Sequence, residues 1–487
     1  MTMNYEPIIL FISCTALIFA GNSSAQTFTT LHNFSSRNTQ PGYANYAEMV
    51  ISSGTLYGTT DLGGVYGNGM IYSLNVDGTA FTNVYSFSTL NNHTNNDGAG
   101  PLAGVVVFSN MLYGTTGGGG TNGSGAIFAI STNGTSLKTL YCFSLTQGSS
   151  LSNNDGYLPV GGLLLSGNTL YGTTFYGGTN GNGVIFSIRT DGTEFVDLYS
   201  FTAGVINNDG GGPEGVLTKS GSTLYGTTSE GGTNGNGTIF TIKIDGTGFT
   251  NLHNFGTTSA RAGSGVVTNN DGANPSGRLT LFGDTLYGTA WEGGTNGNGT
   301  VFALNTNGTG FTVLHTFSGR SPTTNSDGGD PGGDVILFGS TLYGAASQGG
   351  QNGNGTLFSL ATNGTGFVTL HNFSAGSTTN SEGIDAFAGL IISGNTLYGD
   401  TTSGGTNGFG TVFSFSLPPP PQLEINYSGT NVILTWPSNS VGLILQATTN
   451  LSPAVWSAAF PAPAVVEGQN TVTNPILNAS MFYRLSQ

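Results

Sequence analysis

One unit, LYGTT…GGTNGNG…IF, recurs seven times along the chain and constrains its fold more than any other feature. It is plainest at residues 170–186, and its copies are marked by Tyr57, Tyr113, Tyr171, Tyr225, Tyr287, Tyr343 and Tyr398. Successive tyrosines stand 56, 58, 54, 62, 56 and 55 residues apart. A near-constant period with variable inserts is the signature of a repeat architecture, in which each unit buries its apolar face only by stacking on its neighbours.

Each copy carries four strand signals. In the third, 162–165 is a short apolar run closed by the Ser166-Gly167-Asn168 turn, and 169–174 follows. Residues 184–189 alternate Val184, Phe186 and Ile188 against Ile185 and Ser187, and a Thr-Asp-Gly-Thr turn leads into the FxxLxxF strand at 194–201. The third strand is apolar on both faces, as expected of sheets stacked on one another. Four short antiparallel strands repeated seven times leave an open solenoid or a closed propeller. The chain ends decide between them. The last copy runs into Pro418 without an FxxLxxF strand, and the missing piece stands at the other end as Phe28–Phe34. The first strand therefore completes the last sheet, which leaves no open terminal edge. The expected fold is all-β: a seven-bladed β-propeller over 26–417 closed by the N-terminal strand, plus a small C-terminal β-sandwich.

Composition agrees and narrows the partners. The 487 residues include 82 Gly, but 30 Phe and 19 Tyr supply a large core, so glycine serves turns and neither collagen nor disorder is implied. Nine Lys+Arg against 24 Asp+Glu give a net charge of −15, which disfavours nucleic acid and anionic membranes and leaves neutral glycans, cations and proteins open. Residues 8–20 form an apolar run too short to span a bilayer, followed by small residues at 23–25. A signal peptide over 1–25 is expected, hence export to the cell surface or medium, with no later membrane span. Of the two cysteines, Cys14 lies in that run, so the mature chain keeps Cys142 and no internal disulfide.

The LYGTT…GG…GNG…F units resemble the tandem repeats of the bacterial choice-of-anchor tandem repeat GloVer-containing proteins, over about four-fifths of the chain. The resemblance implies an exported repeat protein with a variable C-terminal attachment and carries no activity with it. The paired glycines are also similar to kelch repeats, but the downstream Trp of that pattern is missing.

The loop between strands two and three and the loop leading into each sheet fall on one face. The leading loops contain Asp97, Asp155, Asp209, Asp271 and Asp327, with Glu382 in the sixth copy and Gln40-Pro41-Gly42 at the seventh position. Carboxylates, amides and glycine suit calcium. However, the positions four before each acid hold His93, Leu151, Val205, Val267, Thr323 and Thr378, which build no cage. The other reading is an Asx-turn anchored by Asn95, Asn153, Asn207, Asn269, Asn325 and Asn380. The GGTNGNG loops lack the Gly-Lys-Ser/Thr of a phosphate loop and read as hairpin connections. His32, His253, His315 and His371 share a strand-four position with Tyr85, Tyr141 and Tyr199 and read as packing residues, leaving His93 in a loop.

In a symmetric scaffold the residues that break the pattern are the better functional candidates. The fifth copy breaks it most, through an enlarged leading loop, 256–274, holding Arg261. Directly after its LYG strand stand Trp291 and Glu292, where the third copy has Phe175 and Tyr176. Arg320 follows on the same face, and Arg37 lies on the closing side. An aromatic beside carboxylate and arginine suits a sugar ring, stacking its apolar face and bonding its hydroxyls. The other reading has Trp291 covering the long loop. Glu292 with Glu230 is a candidate acid/base pair.

Pro418–Pro421 is a stiff spacer, and 422–487 carries strands at 423–427, 431–436, 443–447, 471–473 and 482–485 with Trp436 and Trp456 as core. This module reads as an attachment, sorting or glycan-contact domain. Three functions follow: a monomeric propeller binding an extracellular ligand, carbohydrate first, without catalysis; a propeller-type polysaccharide lyase or glycosidase using Arg261, Arg320, His93 and Glu292; or an adhesive protein binding other proteins.

Overall fold

In the third repeat, Leu164–Ser166, Thr169–Thr174, Val184–Arg189 and Val196–Ser200 pair in chain order as one antiparallel sheet. The two inner strands match the sequence expectation to the residue. The fourth begins two residues late because Glu194 takes a left-handed φ of 54°, continuing the turn in which the Thr193 N–H donates to Asp191 Oδ1 at 2.9 Å. The register also explains the non-alternating FxxLxxF pattern. Ile185 faces Tyr199 but Phe186 faces Asp197, so Leu198 is the extra residue of a β-bulge. Phe195 consequently packs towards the preceding sheet while Leu198 and Phe201 pack towards the next.

The computed structural model describes residues 26–34, 48–148, 151–260, 267–376, 378–418, 422–437, 444–450, 455–476 and 481–486. The expected signal peptide, Arg37, the Gln40-Pro41-Gly42 segment, Arg261 and most of the proline spacer lie outside them. Among the described residues, eight four-stranded sheets, one three-stranded sheet and one two-stranded pair form an all-β protein, and no helix is long and apolar enough to cross a membrane.

Seven of the four-stranded sheets belong to the repeats. Six use consecutive strands; the seventh joins Ile391–Ser393, Thr396–Thr401 and Thr411–Ser416 to the N-terminal strand Phe28–Asn33. Phe28 faces Phe415 and Asn33 faces Thr411, so the first strand closes the last sheet as the sequence requires. Apolar clusters join each sheet to the next, and one of them, with Met70 and Tyr72 against Tyr398 and Val412, joins the seventh to the first. The result is a closed, propeller-like arrangement.

The glycine of LYG is a packing requirement. A Cβ on Gly172 would stand 2.5 Å from Phe186 Cζ, so the third-strand ring fits only beneath a bare backbone. Between neighbouring sheets, the strand-four Tyr or His stacks on the next repeat's Phe: Tyr199 on Phe249 at 4.0 Å, His253 on Phe311 at 3.8 Å. At the closing seam the same stack is His371 on Phe28, at 4.4 Å. These histidines pack as expected.

The segments leading into the first strands place Glu48, Gly104, Gly162, Val216, Arg278, Asp334 and Gly389 at one register position. Arg278 Nη1 reaches Glu48 Oε2 at 3.6 Å, and Asp334 lies where a Cβ on Gly389 would meet its Oδ1 at 1.7 Å. Burial, then the Glu48 carboxylate, push Asp334 well above the ordinary range. Residues of five sheets line the gap that remains here, which holds about 20 Å³.

Beyond residue 422, Glu424–Ser428, Asn431–Pro437, Gln469–Pro475 and Ala464–Val466 form one sheet, and Ser457–Ala458, Ile444–Thr448 and Phe482–Ser486 another. Leu434, Trp436, Leu445 and Val472 are their shared core. Trp456 is not: it is half-buried under the Arg484 guanidinium, 4.3 Å from its ring centre.

Candidate functional site

The loop-face carboxylates are latches. Asp97 accepts from Tyr85 Oη at 2.8 Å, from the Ser88 N–H at 2.8 Å and from the Ser88 hydroxyl. Asp155 does the same with Tyr141 (2.6 Å) and Ser144, and Asp209 with Tyr199 (2.8 Å) and Thr202. Where strand four carries histidine, Nε2 takes the phenol's place at 3.0 Å: His253 on Asp271, His315 on Asp327, His371 on Glu382. Burial first, and then bonding to the carboxylate, push the three phenols upward, keeping them protonated donors. Burial alone would raise Asp327, but the bonds from His315 and Ser318 outweigh it and hold this carboxyl below its usual range. Calcium requires six to eight oxygens. Among the described residues no group of three or more His, Cys, Asp or Glu is placed to hold a metal, and these carboxylates are spent on protein donors. The geometry supports the turn reading of the loops.

The asparagine two before each acid is the second fastener. Asn153 Oδ1 accepts from the N–H groups of Gly156 and Gly178, both at 2.8 Å, and its amide donates to the carbonyls of Ser144 and Gly156 at 2.9 and 2.7 Å. One side chain thus ties the leading loop to the glycine loop, and Asn95, Asn207, Asn269, Asn325 and Asn380 repeat the arrangement. Asn153→Ala strands two N–H groups, and we expect it to cost about 2–4 kcal/mol. Chemical denaturation measures this; an unchanged midpoint would show that the loops are held by other means.

Held this way, the loops display two variable positions after each LYG strand. Trp291 occupies the first in the fifth repeat. Its ring meets Phe387 edge-on at 5.8 Å, and Phe387 reaches it across Gly332, where a Cβ would stand 2.2 Å from the phenyl ring. Trp291 walls a cleft of about 400 Å³ between the fourth and fifth repeats, with Glu214, Ser229, Glu230, Asn274 and Ser276 also on its surface. Ser229 Oγ donates to Glu214 Oε1 at 2.7 Å. Tyr176 stands within electrostatic reach of both glutamates: burial and then their charges raise its phenol. Phe175 packs edge-on against Tyr176, at 4.5 Å, and over Gly212.

Of the remaining candidates, Glu292 adjoins this cleft through Asn274, and Arg320 and His93 lie apart from it. Glu292 accepts from Asn274 Nδ2 at 3.2 Å, and burial, followed by the charge of Asp330, raises its carboxyl. Arg320 donates to Asp330 at 2.9 Å and to Gln348 at 2.7 Å. Sequence reasoning paired Glu292 with Glu230; the carboxylates that line the cleft are instead Glu214 and Glu230, with Glu292 bonded to Asn274 at its edge. His93, with a left-handed φ of 68°, lines a separate cleft of about 380 Å³ with Asp61, Leu62, Leu102 and Tyr157.

The Gloeobacter/Verrucomicrobia repeat matches this chain over residues 15–158, 146–273 and 263–447. The chain belongs to that family. In the Gloeobacter/Verrucomicrobia repeats described above, the LYG glycine, the Asn fastener and the Tyr/His–carboxylate latch are construction, and the variation sits beside them. No curated protein matches the chain. Among solved structures, an oligogalacturonate lyase in complex with manganese is similar at 10% identity, covering 81% of this chain and 97% of that one with a TM-score of 0.47. A puromycin-hydrolysing peptidase of Mycobacterium tuberculosis is similar at 10% identity, over 82% and 61%, with a TM-score of 0.44. A chain of a nidogen/laminin complex is similar at 18% identity, over 59% and 84%, with a TM-score of 0.35. At these values the likenesses carry no argument about activity.

Two residues of these Gloeobacter/Verrucomicrobia repeats escaped the sequence reading. Glu214 follows Pro213 in the segment leading into the fourth sheet, a slot held elsewhere by Leu102, Val160, Ser276, Gly332 and Phe387. Asp400 turns TLYGTT into TLYGDT, and burial raises its carboxyl to about 7. Both break the repeat, and that signal was open to the same argument that picked out Trp291.

Proposed function

We propose that the chain is an exported seven-bladed β-propeller that binds carbohydrate, without catalysis, in the cleft between its fourth and fifth blades. A distinct C-terminal β-sandwich over 422–487 serves as the variable attachment of a choice-of-anchor protein. The observation that carries the binding site is the Trp291 wall facing Glu214, Glu230, Asn274 and two serine hydroxyls across a sugar-sized cleft. An indole stacks on the C–H face of a pyranose while carboxylate, amide and hydroxyl groups bond its hydroxyls. The loops around the cleft are fastened by Asn207 and Asn269, so the site is preorganised.

A glycan screen on the full chain tests this. Retention is expected on at least one neutral or basic oligosaccharide, weakened at least about tenfold by Trp291→Ala and unaffected by a chelator. Release of shortened products would assign catalysis instead. No retention, or retention indifferent to Trp291→Ala, would remove the sugar site.

A further inference from the structure

The cleft beside Trp291 has an outer mouth and a closed inner end. Val205 and Glu230 at its mouth are exposed, whereas Ser229 and Ser276 on its lining are buried and Glu214 is half-buried. Glu214 and Ser276 also line the axial gap of the ring, so the cleft runs inward until it meets that gap. The gap holds about 20 Å³, the space of about one water and too small for a sugar ring. Arg278 reaches Glu48 there at 3.6 Å, and Asp334 fills the space beside Gly389. Phe387, which meets the Trp291 ring edge-on, lines the same gap and backs the indole. A chain that enters past Glu230 therefore stops at Glu214 and Ser276.

The closed end presents acceptors. A serine hydroxyl has one hydrogen and two lone pairs. The Ser276 hydroxyl donates to the Gly332 carbonyl at 3.1 Å, and the Ser229 hydroxyl is held by Glu214 Oε1 at 2.7 Å and the Gly212 carbonyl at 3.0 Å. Towards a ligand both hydroxyls act as acceptors, beside the Glu214 carboxylate. Such a floor calls for hydroxyl donors. The last unit of a glycan has one more of them than an internal unit, because its outer linkage oxygen is unsubstituted. The cleft's volume of about 400 Å³ lies near the lower end of ligand pockets, which run from about 300 to 1,000 Å³, and suits a short piece of chain. Resting on the carbohydrate reading above, we infer that the site takes the free end of a glycan chain and not an internal stretch. The terminal unit sits against Glu214, Ser229 and Ser276, a ring stacks on Trp291, and the rest of the chain leaves past Glu230.

Calorimetry on the full chain compares glucose dimers and hexamers in α-1,4, β-1,3 and β-1,4 linkage. In a linkage that binds, the dimer is expected to come within about fivefold of the hexamer, because the added units lie outside the cleft. Two blocked hexamers of that linkage then locate the end. One has the outermost hydroxyl of its non-reducing unit methylated, and the other has its reducing unit opened by borohydride. At least one block should weaken binding about tenfold, the loss expected when buried acceptors are left without a donor. Trp291→Ala should weaken every probe that binds. A larger gap between dimer and hexamer, or blocked hexamers that both bind like the intact one, with Trp291→Ala still weakening them, overturns terminal recognition and leaves the carbohydrate site standing. Absence of binding in all three linkages overturns both.

Discussion

Removing residues 26–34 is expected to cost the protein its cooperative fold. The deleted strand pairs with Thr411–Ser416, and its Phe28 stacks on Phe413 at 5.0 Å and on His371 at 4.4 Å. Phe34, 1% exposed, belongs to the core between the seventh and first sheets. Losing the buried Phe34 forfeits about 3–5 kcal/mol and the half-buried Phe28 adds to it, against about 5–15 kcal/mol for a whole native domain. The deletion also leaves Thr411–Ser416 as an unpaired edge, an invitation to aggregate. Size-exclusion chromatography and circular dichroism of the truncated chain should show aggregated or non-cooperatively melting protein. In the intact chain, Phe34→Ala gives the graded version, a loss of about 3–5 kcal/mol. A truncated protein that elutes as a monomer and melts as sharply as the intact one would sink the closure account.

The second large effect depends on pH. Asp400 is buried between the closing sheets, where other repeats place Thr59, Thr227 and Thr289, whose hydroxyls donate to the next repeat's carbonyls. Burial raises its carboxyl to about 7, against about 3.9 in the unfolded chain. Tyr72, also fully buried and replacing the usual Phe, faces the same seam; burial and the Asp400 charge raise its phenol. Because the folded form holds its proton more tightly, the stability linked to Asp400 is fully present below about pH 4 and drains away as pH rises through about 7. Three pKa units correspond to about 4 kcal/mol. About 1.5 kcal/mol of this is already lost by pH 5, so we expect the protein to be less stable at pH 8 than at pH 5 by about 2–3 kcal/mol, and Asp400→Thr to abolish most of the difference. Denaturant titrations at the two pH values make the comparison. Parallel pH dependence in wild type and Asp400→Thr would refute it. The latch at Asp327 acts in the opposite sense and a separate window: its depressed carboxyl contributes stability above about pH 4 that is lost on acidification.

The closure was legible because it is a counting argument. Phe28–Phe34 is an FxxLxxF strand without a repeat, and the seventh repeat lacks one. Strands two and three of each sheet were legible because alternation and LYG glycines fix both ends. The latches were not. Tyr199 and Asp209 are ten residues apart across a turn, and only the bulge at Leu198 brings that phenol onto the carboxylate. The carboxylates consequently resembled cation ligands when read in line, since their donors are strand residues read as packing. The site was legible in part. Trp291 announced itself as a large residue in a small slot, but its partners depend on which loops the asparagine fasteners bring together. Glu292, adjacent in sequence, stops at the edge of the cleft on Asn274, and Glu214, far away in sequence, lines it.

The seam that closes the ring also sets a direction. Ser416 and Thr27 bond each other through both backbone and side chain, at 2.9 Å for the Ser416 N–H to the Thr27 carbonyl and 2.8 Å for the Thr27 N–H to Ser416 Oγ, and the Leu417 N–H bonds the Asn395 carbonyl at 2.7 Å. Both chain ends therefore leave the ring beside the first hairpin turn, on the side away from the glycine loops and from Trp291. An attachment downstream of Leu417, as proposed above, would therefore leave the Trp291 loops on the far side of the ring, as a stem leaves the bowl of a dish aerial.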